Sequence, residues 1–502
     1  MGLIFLMVTF ELRIIIVFLV SFFSVIFVLP KIANIAQRIG LLDQPNGRKV
    51  HTSPQPLVGG IGMVPAVVFT SLVFIPINGL RGYFIGLAIL LLVGFLDDFK
   101  EIGHRQKFMA QIIATGALIY FSKIVLITFG DLLGMGALNV PGGNIVAWVV
   151  TIFCVVGVTN SVNLIDGLDG LAGGISFVAF LFFASHASFV GNQTLMLLNL
   201  AFAGAILGFL RFNWCPSILF MGDAGSLCLG FSLSFMALAL TQGNDAEVSP
   251  VTALLILAVP ITDTIIIMCK RIMHGQSPFK PDKYHLHHIF LRCGMSRAST
   301  VWIILAISVL LGSFSLLGPV YGFAESWLFV LFVTYFLVYL AASFCIVGFF
   351  RYSLKLRKKR QHLAGTDLFL RFFFGFFDIF KFFRKTRRHN VNLAMSCLTD
   401  EAGPVNRGRI INISQTGCMA GITGLEVEDH NMILRLDLQD ESALLKFEVQ
   451  AEHLWTSKHD GDCYHGFKFK EMPPEKAEIL SSYLERVARQ QQVEVKTATA
   501  LH

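Results

Sequence analysis

Acidic, amide and histidine side chains gather at a few points of a chain otherwise rich in apolar residues. Asp97 and Asp98 are adjacent in LDDFKE (96–101), and Asn160, Asn163, Asp166 and Asp169 share the Gly-rich stretch NSVNLIDGLDGLAGG (160–174). Asp223 sits in FMGDAGS (220–226), and His285, His287 and His288 close the run SPFKPDKYHLHH (277–288). Adjacent carboxylates repel, so a pair held this close shares a proton or a cation. Carboxylate and carboxamide oxygens are hard ligands that suit Mg²⁺ or Mn²⁺ better than zinc. The three histidines lack the closed tetrahedral spacing of a structural zinc site. Basic residues accompany these groups: Arg48 and His51 in GLLDQPNGRKVHTSPQPLVGG (40–60), Lys107 at the start of an apolar run, and Lys270 and Arg271 ahead of the histidines. Lys, Arg and Gly-rich turns with free N–H groups suit phosphate. The chemistry this describes is a metal-bridged pyrophosphate site, whose natural substrates are one water-soluble phosphate ester and one lipid.

The elements that must position these groups are membrane helices. Of 502 residues, 54% are hydrophobic and 48 are Phe, and the mean hydropathy is +0.66. The apolar excess lies in blocks long enough to span a bilayer. Eleven candidate spans follow, at about 14–30, 61–77, 82–97, 108–127, 144–160, 171–189, 194–211, 223–240, 249–269, 300–318 and 326–350. Segments 30–60, 97–107, 160–170, 211–222 and 270–299 together hold 14 Lys and Arg, whereas the opposite loops contribute Arg13 and Arg81 with acidic Asp131, Asp245 and Glu247. The positive-inside rule therefore places the first set in the cytoplasm, the N-terminus in the periplasm and the C-terminus inside. Every polar group named above then falls on the cytoplasmic side. A charged side chain at membrane depth is costly without a partner or a task, which marks these residues as functional.

The remaining counts exclude several classes. Nine Cys carry no CxxC spacing, against a metal ribbon or a disulfide framework. The first apolar run has no A-x-A-like end and reads as an uncleaved span. A net charge of +7 is ordinary for a membrane protein and does not suggest nucleic acid as a partner. Asp263, inside the ninth span, reads as a helix-packing hydrogen bonder behind the site.

Six motifs in order, DQPNGRKVH with PLVGG (43–60), LDDFKE, NSVNLIDGLDGLAGG, FMGDAGS, VPITDT (259–264) and SPFKPDKYHLHH, resemble the polyprenyl-phosphate N-acetylhexosamine-1-phosphate transferases. The form SPF-x-PD-x-x-H-x-HH is similar to the undecaprenyl-phosphate GlcNAc-1-phosphate transferase branch. One departure is Glu101, where the family often has Asp. The resemblance implies transfer of a sugar-1-phosphate from a UDP-sugar to undecaprenyl phosphate, with release of UMP. It implies a metal site of Asn163, Asp223, Asp97 and Asp98. It further implies Lys107 on the lipid phosphate, Asp169 on the uracil, and Arg271, His285, His287 and His288 over the sugar and its phosphates. Arg48, His51 and Asn160 are added as substrate-binding residues, and Asp166 as a catalytic one. Whether Asp97 removes a proton stays open.

After about residue 350 the pattern changes. Residues 351–388 hold 12 Lys and Arg, and nine Phe fall between 369 and 383. This stretch is too charged to span and reads as an amphipathic helix on the inner-membrane lipids. From about Val391, alternating segments separated by Gly, Asn and Asp turns predict a small β-barrel closed by a helix from Pro474. Arg384 and Arg388 form an RxxxR pair, and Asn412, Ser414 and Gly417 an NxSxxG pattern, followed by GxxF at Gly466. These resemble a PilZ domain, the bacterial receptor module for cyclic di-GMP, with both arginines clamping phosphate and guanine.

The expectation is a polytopic α-helical membrane protein of about eleven spans with a cytoplasmic PilZ-like β-barrel, in a bacterial inner membrane. Its parts are a transferase domain at 1–350, a basic Phe-rich linker at 351–383, the nucleotide-binding domain at 384–490 and a tail at 491–502. A homodimer is carried as a further expectation. Two readings from other classes compete. A non-catalytic cyclic di-GMP receptor on an inactive transferase scaffold is disfavoured by the intact Asp97, Asp98, Asn163, Asp169 and Asp223. A transporter would carry its carboxylates near the midplane rather than at one face.

Overall fold

In the computed structural model, the described residues are 9–43, 54–77, 79–100, 102–242, 248–273, 275, 285–292, 295–359, 389–398, 405–415, 417–422, 431–439, 444–459, 462–470, 472–473 and 475–487. The chain forms two compact units, Met1–Leu368 and Phe369–His502.

The first unit is helical. Its elements are α1 (Phe10–Ile39), a two-stranded ribbon of β1 (Leu42–Asp43) and β2 (Gln55–Pro56), α2 (Gly59–Phe74), α3 (Arg81–Lys100), α4 (His104–Ser122), α5 (Gly143–Ile165), α6 (Leu171–Phe189), α7 (Gln193–Asn213), α8 (Gly222–Thr241), α9 (Pro250–Ile256), α10 (Ala258–Met273), α11 (Leu286–Arg292), α12 (Arg297–Val320) and α13 (Glu325–Lys359). All eleven expected spans are helical, but the count of eleven crossings is not sustained by length and composition. Eight helices among the described residues are long and apolar enough to cross, and nine if α9 and α10 form one span. The α9–α10 pair bends by 77°; Pro260 lies in the first turn of α10, where its missing N–H leaves the Ile256 carbonyl without its helical partner. Of the other two, α2 has only 16 residues, and α4 opens on His104, Arg105 and Lys107. The fourth segment also ends earlier than expected. Lys123 follows α4 in a left-handed conformation, φ 53°, so it belongs to the loop rather than to a span.

Packing explains why α8 is the axis of the unit. Lipid tails are as apolar as Leu, so helices associate by close approach and polar contact, which small residues permit. A Cβ at Gly94 of α3 would strike the Ala224 backbone of α8, and one at Gly230 of α8 would strike Thr159 of α5. Tyr83 of α3 meets Ser232 of α8 through a buried 2.8 Å hydrogen bond, which satisfies the phenol inside the bundle. The segment before α8 also pairs with the segment before α2: Gly59 N–H donates to Phe220 O at 3.0 Å and Gly60 N–H to Met221 O at 3.0 Å. PLVGG and FMGDAGS are thus one backbone-bonded junction.

The second unit contains a closed antiparallel barrel, ordered β3 (His389–Leu398), β4 (Val405–Ser414), β5 (Gly417–Ile422), β8 (Asp462–Phe469), β7 (Leu444–His459) and β6 (Asn431–Gln439), with β6 pairing back to β3. Alternate residues such as Ile410, Ala420, Leu434, Leu436 and Ala451 fill the interior, and Leu480, Tyr483 and Leu484 of the helix at 475–487 join that core. The expected lipid-surface helix falls largely outside the described residues, except that α13 continues past residue 350 to Lys359.

Candidate functional site

The site is built from helix ends. Asp97 and Asp98 lie in the last turn of α3, Lys107 in the first turn of α4, Asn163 in the last turn of α5 and Asp223 in the first turn of α8. One oxygen from each of Asp97, Asp98 and Asp223 lies within 4.8 Å of the others. Lys107 Nζ forms ion pairs with both Asp97 and Asp223. Asn163 Nδ2 donates to Asp223 Oδ1 at 2.7 Å and to Ser226 Oγ at 2.8 Å.

The two adjacent carboxylates have different surroundings. Asp98 accepts the Asp223 N–H at 2.7 Å and the Ala224 N–H at 3.1 Å, one on each oxygen. It caps α8 from a neighbouring helix, taking N–H groups that α8 cannot satisfy internally. Asp97 is 7% exposed; its Oδ2 meets Lys107, and its Oδ1 is buried without a hydrogen-bond partner among the described residues. Three carboxylates and an unsatisfied buried oxygen fit a hard divalent cation. Asn163 turns its N–H₂ to Asp223, so its carboxamide oxygen is what remains for a metal.

Gly222 makes this junction possible. It adopts φ +73°, and a Cβ there would press on the Asp98 carboxylate. Gly222→Ala is therefore expected to lower stability by more than about 1 kcal/mol, the scale for Ala at positive φ, and to loosen the Asp98 cap. Thermal unfolding in detergent checks it; an unchanged midpoint would contradict the close approach.

The DGLDG turn lies beside this cluster. Asp166 follows α5 directly and is exposed. Asp169 accepts from Ser217 Oγ at 2.9 Å, which ties the turn to the segment between α7 and α8. Gly170 N–H donates to Asn213 Oδ1 at 2.9 Å. On its other side the turn meets the histidines, for a Cβ at Gly167 would crowd the His287 ring. His287 is 2% exposed. Burial, and then the neighbouring His288 and His285, push it down to about 3, so it stands as neutral imidazole with neither ring nitrogen hydrogen-bonded among the described residues. Its ring centroid is 4.2 Å from that of His288. His285 Nδ1 lies 2.8 Å from Asp263 Oδ2. Lys270 and Arg271, in the last turn of α10, are buried, and Lys270 Nζ donates to Ser343 O at 3.0 Å.

The structure thus brings together Asp97, Asp98, Lys107, Asn163 and Asp223, and separately seats His287 on the DGLDG turn. Asn160 Nδ2 donates to Gln111 Oε1 at 2.6 Å and to Val156 O at 2.8 Å, so its amide joins α4 to α5. Arg48, His51 and Glu101 lie outside the described residues. Three participants escaped the sequence reading. Gln111 is four residues after Lys107 on the same face of α4 and was findable from that spacing; Ser226 follows Asp223 by three; Ser217 has no local signal. In the barrel, Asn412, Ser414 and Gly417 flank the β4–β5 turn, where Ser414 Oγ donates to Gly417 O at 3.1 Å. Asn412 Oδ1 is buried without a hydrogen-bond partner among the described residues. Arg384 and Arg388 lie outside the described residues.

Residues 80–241 match the model of glycosyl transferase family 4, and residues 381–486 match that of the PilZ domain. The probable undecaprenyl-phosphate N-acetylglucosaminyl 1-phosphate transferase of Bacillus subtilis (strain 168) is 33% identical over 332 residues, covering 64% of this chain and 89% of that protein. The undecaprenyl-phosphate alpha-N-acetylglucosaminyl 1-phosphate transferase of Salmonella typhi is 34% identical over 351 residues, covering 67% and 93%. The PilZ domain with c-di-GMP of YcgR from Escherichia coli aligns with 22% of this chain and 97% of its own at 14% identity, with a TM-score of 0.20, too low to carry weight. Carboxylates converging at helix ends and relatives matched over most of their length lead to one assignment: this multi-pass membrane chain belongs to the undecaprenyl-phosphate N-acetylglucosaminyl 1-phosphate transferases of glycosyl transferase family 4, and carries a PilZ domain.

Proposed function

We propose that the protein transfers N-acetylhexosamine-1-phosphate from a UDP-sugar to undecaprenyl phosphate, releasing UMP, and that cyclic di-GMP bound to the PilZ domain regulates this step. The observation that carries the reading is the meeting of Asp97, Asp98 and Asp223 within 4.8 Å at helix ends, beside the Lys107 ammonium. An oxygen of the lipid phosphate attacks the sugar-bearing phosphorus, and the bond to the bridging oxygen breaks, so that oxygen leaves with UMP. The lipid phosphate is anionic near neutral pH, so the attack needs no proton abstraction. Asp97, Asp98 and Asp223, with the Asn163 oxygen, would hold Mg²⁺ or Mn²⁺, and Asp98 also fixes the start of α8. A bound divalent cation supplies charge neutralisation to the pyrophosphate.

The protein's own side chains do the rest. Lys107 neutralises the lipid phosphate. Asp169, held by Ser217, faces the uracil, and Arg271, His285, His287 and His288 close over the sugar and its phosphates. Membrane depth favours this assignment, since a lipid phosphate and a soluble nucleotide meet only at the interface. The positive loops support a cytoplasmic site in a bacterial inner membrane, a periplasmic N-terminus and a cytoplasmic barrel. In the barrel, the buried Asn412 oxygen and the Ser414–Gly417 turn support nucleotide binding, with Arg384 and Arg388 as the phosphate clamp.

The test is Mg²⁺-dependent UMP release and lipid labelling from UDP-GlcNAc and undecaprenyl phosphate, with and without cyclic di-GMP. Activity that responds to the dinucleotide is the expected result. Replacing Arg384 and Arg388 together is expected to weaken cyclic di-GMP binding by at least about 100-fold, two charge-assisted contacts at roughly 1.5 kcal/mol each, while basal transfer persists. Unchanged affinity would sink the clamp, and inactivity across a panel of UDP-sugars would leave a non-catalytic receptor as the reading.

A further inference from the structure

Asp263 lies within α10, in a half-span that a bend of 77° has already set apart from α9. It is 1% exposed, deep enough that its carboxylate must be compensated. Three donors reach it. His285 Nδ1 lies 2.8 Å from Oδ2 and Leu286 N–H 2.8 Å from Oδ1, and the Tyr339 hydroxyl of α13 donates to Oδ1. One carboxylate therefore clasps α10, the start of α11 and α13.

We propose that Asp263 is a positioning residue for the transfer reaction: it holds His285 in the tautomer protonated at Nδ1, leaving Nε2 to accept a hydrogen bond from a hydroxyl of the donor sugar. This rests on the transferase reading above. The chemistry of the pair dictates the tautomer. A carboxylate has only acceptors to offer, so the nitrogen facing it donates, and the opposite nitrogen of the neutral ring becomes an acceptor. Ring geometry then puts Nε2 on the far edge, away from Asp263. The Leu286 N–H bond matters equally, because it fixes the backbone from which α11 starts. His287 and His288 follow within that first turn, and His287 is thereby pressed on Gly167. Asp263 thus transmits the position of α10 to the histidine segment and, through it, to the DGLDG turn.

A simpler role would be a buried clasp that only holds helices together, and the variants separate the two. Asp263→Asn keeps the shape but can present N–H₂ to His285, favouring the wrong tautomer. It is expected to lower kcat by about 10–100-fold, the range for removing a residue that orients a working imidazole, with KM for the lipid within about threefold. Tyr339→Phe removes one donor and leaves the His285 bond, so transfer is expected to stay within about threefold of the parent. In a His285→Gln background, Asp263→Asn is expected to add less than about twofold, because the two residues act as a unit.

Multiplicative losses in that double variant would overturn the proposal, as would an Asp263→Asn protein with a lowered melting temperature and an intact kcat. A readout independent of activity is the ¹⁵N spectrum of histidine-labelled protein, with His285→Gln used for assignment. It is expected to show His285 protonated at Nδ1. Protonation at Nε2 in the unsubstituted protein would refute the positioning role even if Asp263→Asn failed to fold. Absence of transfer with every UDP-sugar would instead refute the underlying reaction while leaving the tautomer measurable.

Discussion

Asp223→Asn is expected to lower sugar-1-phosphate transfer by on the order of 10³-fold, the scale of losing one preorganised electrostatic group, while leaving cyclic di-GMP binding unchanged. Asp223 occupies the first turn of α8, where the helix dipole favours a negative charge. Its carboxylate is engaged from two sides, by Lys107 and by Asn163. The amide preserves shape and removes charge, so the fold survives while the shared cation site loses a ligand. The dependence of UMP release on Mg²⁺ concentration should shift to higher values in the same variant. Transfer retained within tenfold, at an unchanged Mg²⁺ requirement, would remove Asp223 from the metal site. Thermal unfolding of the helical unit in detergent guards against a trivial explanation, since a misfolded variant would show a lowered or absent transition.

Much of this site was legible because membrane burial makes polar residues conspicuous. Asp97, Asp98, Asn163 and Asp223 announce themselves by sitting at the ends of apolar runs, and loop charge alone puts them on one side. Their division of labour was not legible. Nothing in LDDFKE says that Asp98 spends both oxygens on the backbone of α8 while Asp97 keeps a buried oxygen without a partner. That depends on how α3 and α8 approach, which Gly94 and Gly222 permit, and a sequence does not name the partner of a close-packed glycine. Nor does the motif position of Asn160 name its partner Gln111 on the preceding helix, α4. Asp263 looked like a packing residue because its partners His285 and Tyr339 lie 22 and 76 positions away. The span count of eleven is not confirmed where composition is ambiguous, in the short α2 and in α4 with its basic first turn. In the barrel, period-two alternation was enough to predict strands, because burial alternates along them.

Lys107→Met should expose the electrostatics of the cluster most directly. The Lys107 side chain is 19% exposed and pairs with Asp97 and Asp223, whose side chains are 9% and 26% exposed. Deleting it leaves three carboxylates within 4.8 Å, compensated among the described residues by the Asn163 amide and the α8 N–H groups. Breaking a largely buried pair by removing one partner costs about 3 kcal/mol, most of it from the charge left behind. The variant is therefore expected to unfold at lower temperature than the parent in EDTA, and to regain most of the difference when Mg²⁺ supplies the missing charge. Transfer should not recover in parallel. A cation on Asp97 and Asp223 cannot replace an ammonium on the lipid phosphate, so activity is expected to stay down by about 100-fold at saturating Mg²⁺, the lower end for losing one charge-stabilising group. Equal stability of parent and variant in EDTA would mean that Lys107 does not compensate the cluster. Full recovery of transfer with Mg²⁺ would mean that its role ends there, leaving the lipid phosphate to another cation. Lys107→Arg keeps the charge but changes its geometry, and should hold stability while still reducing transfer, because a planar fork does not substitute for a compact point charge.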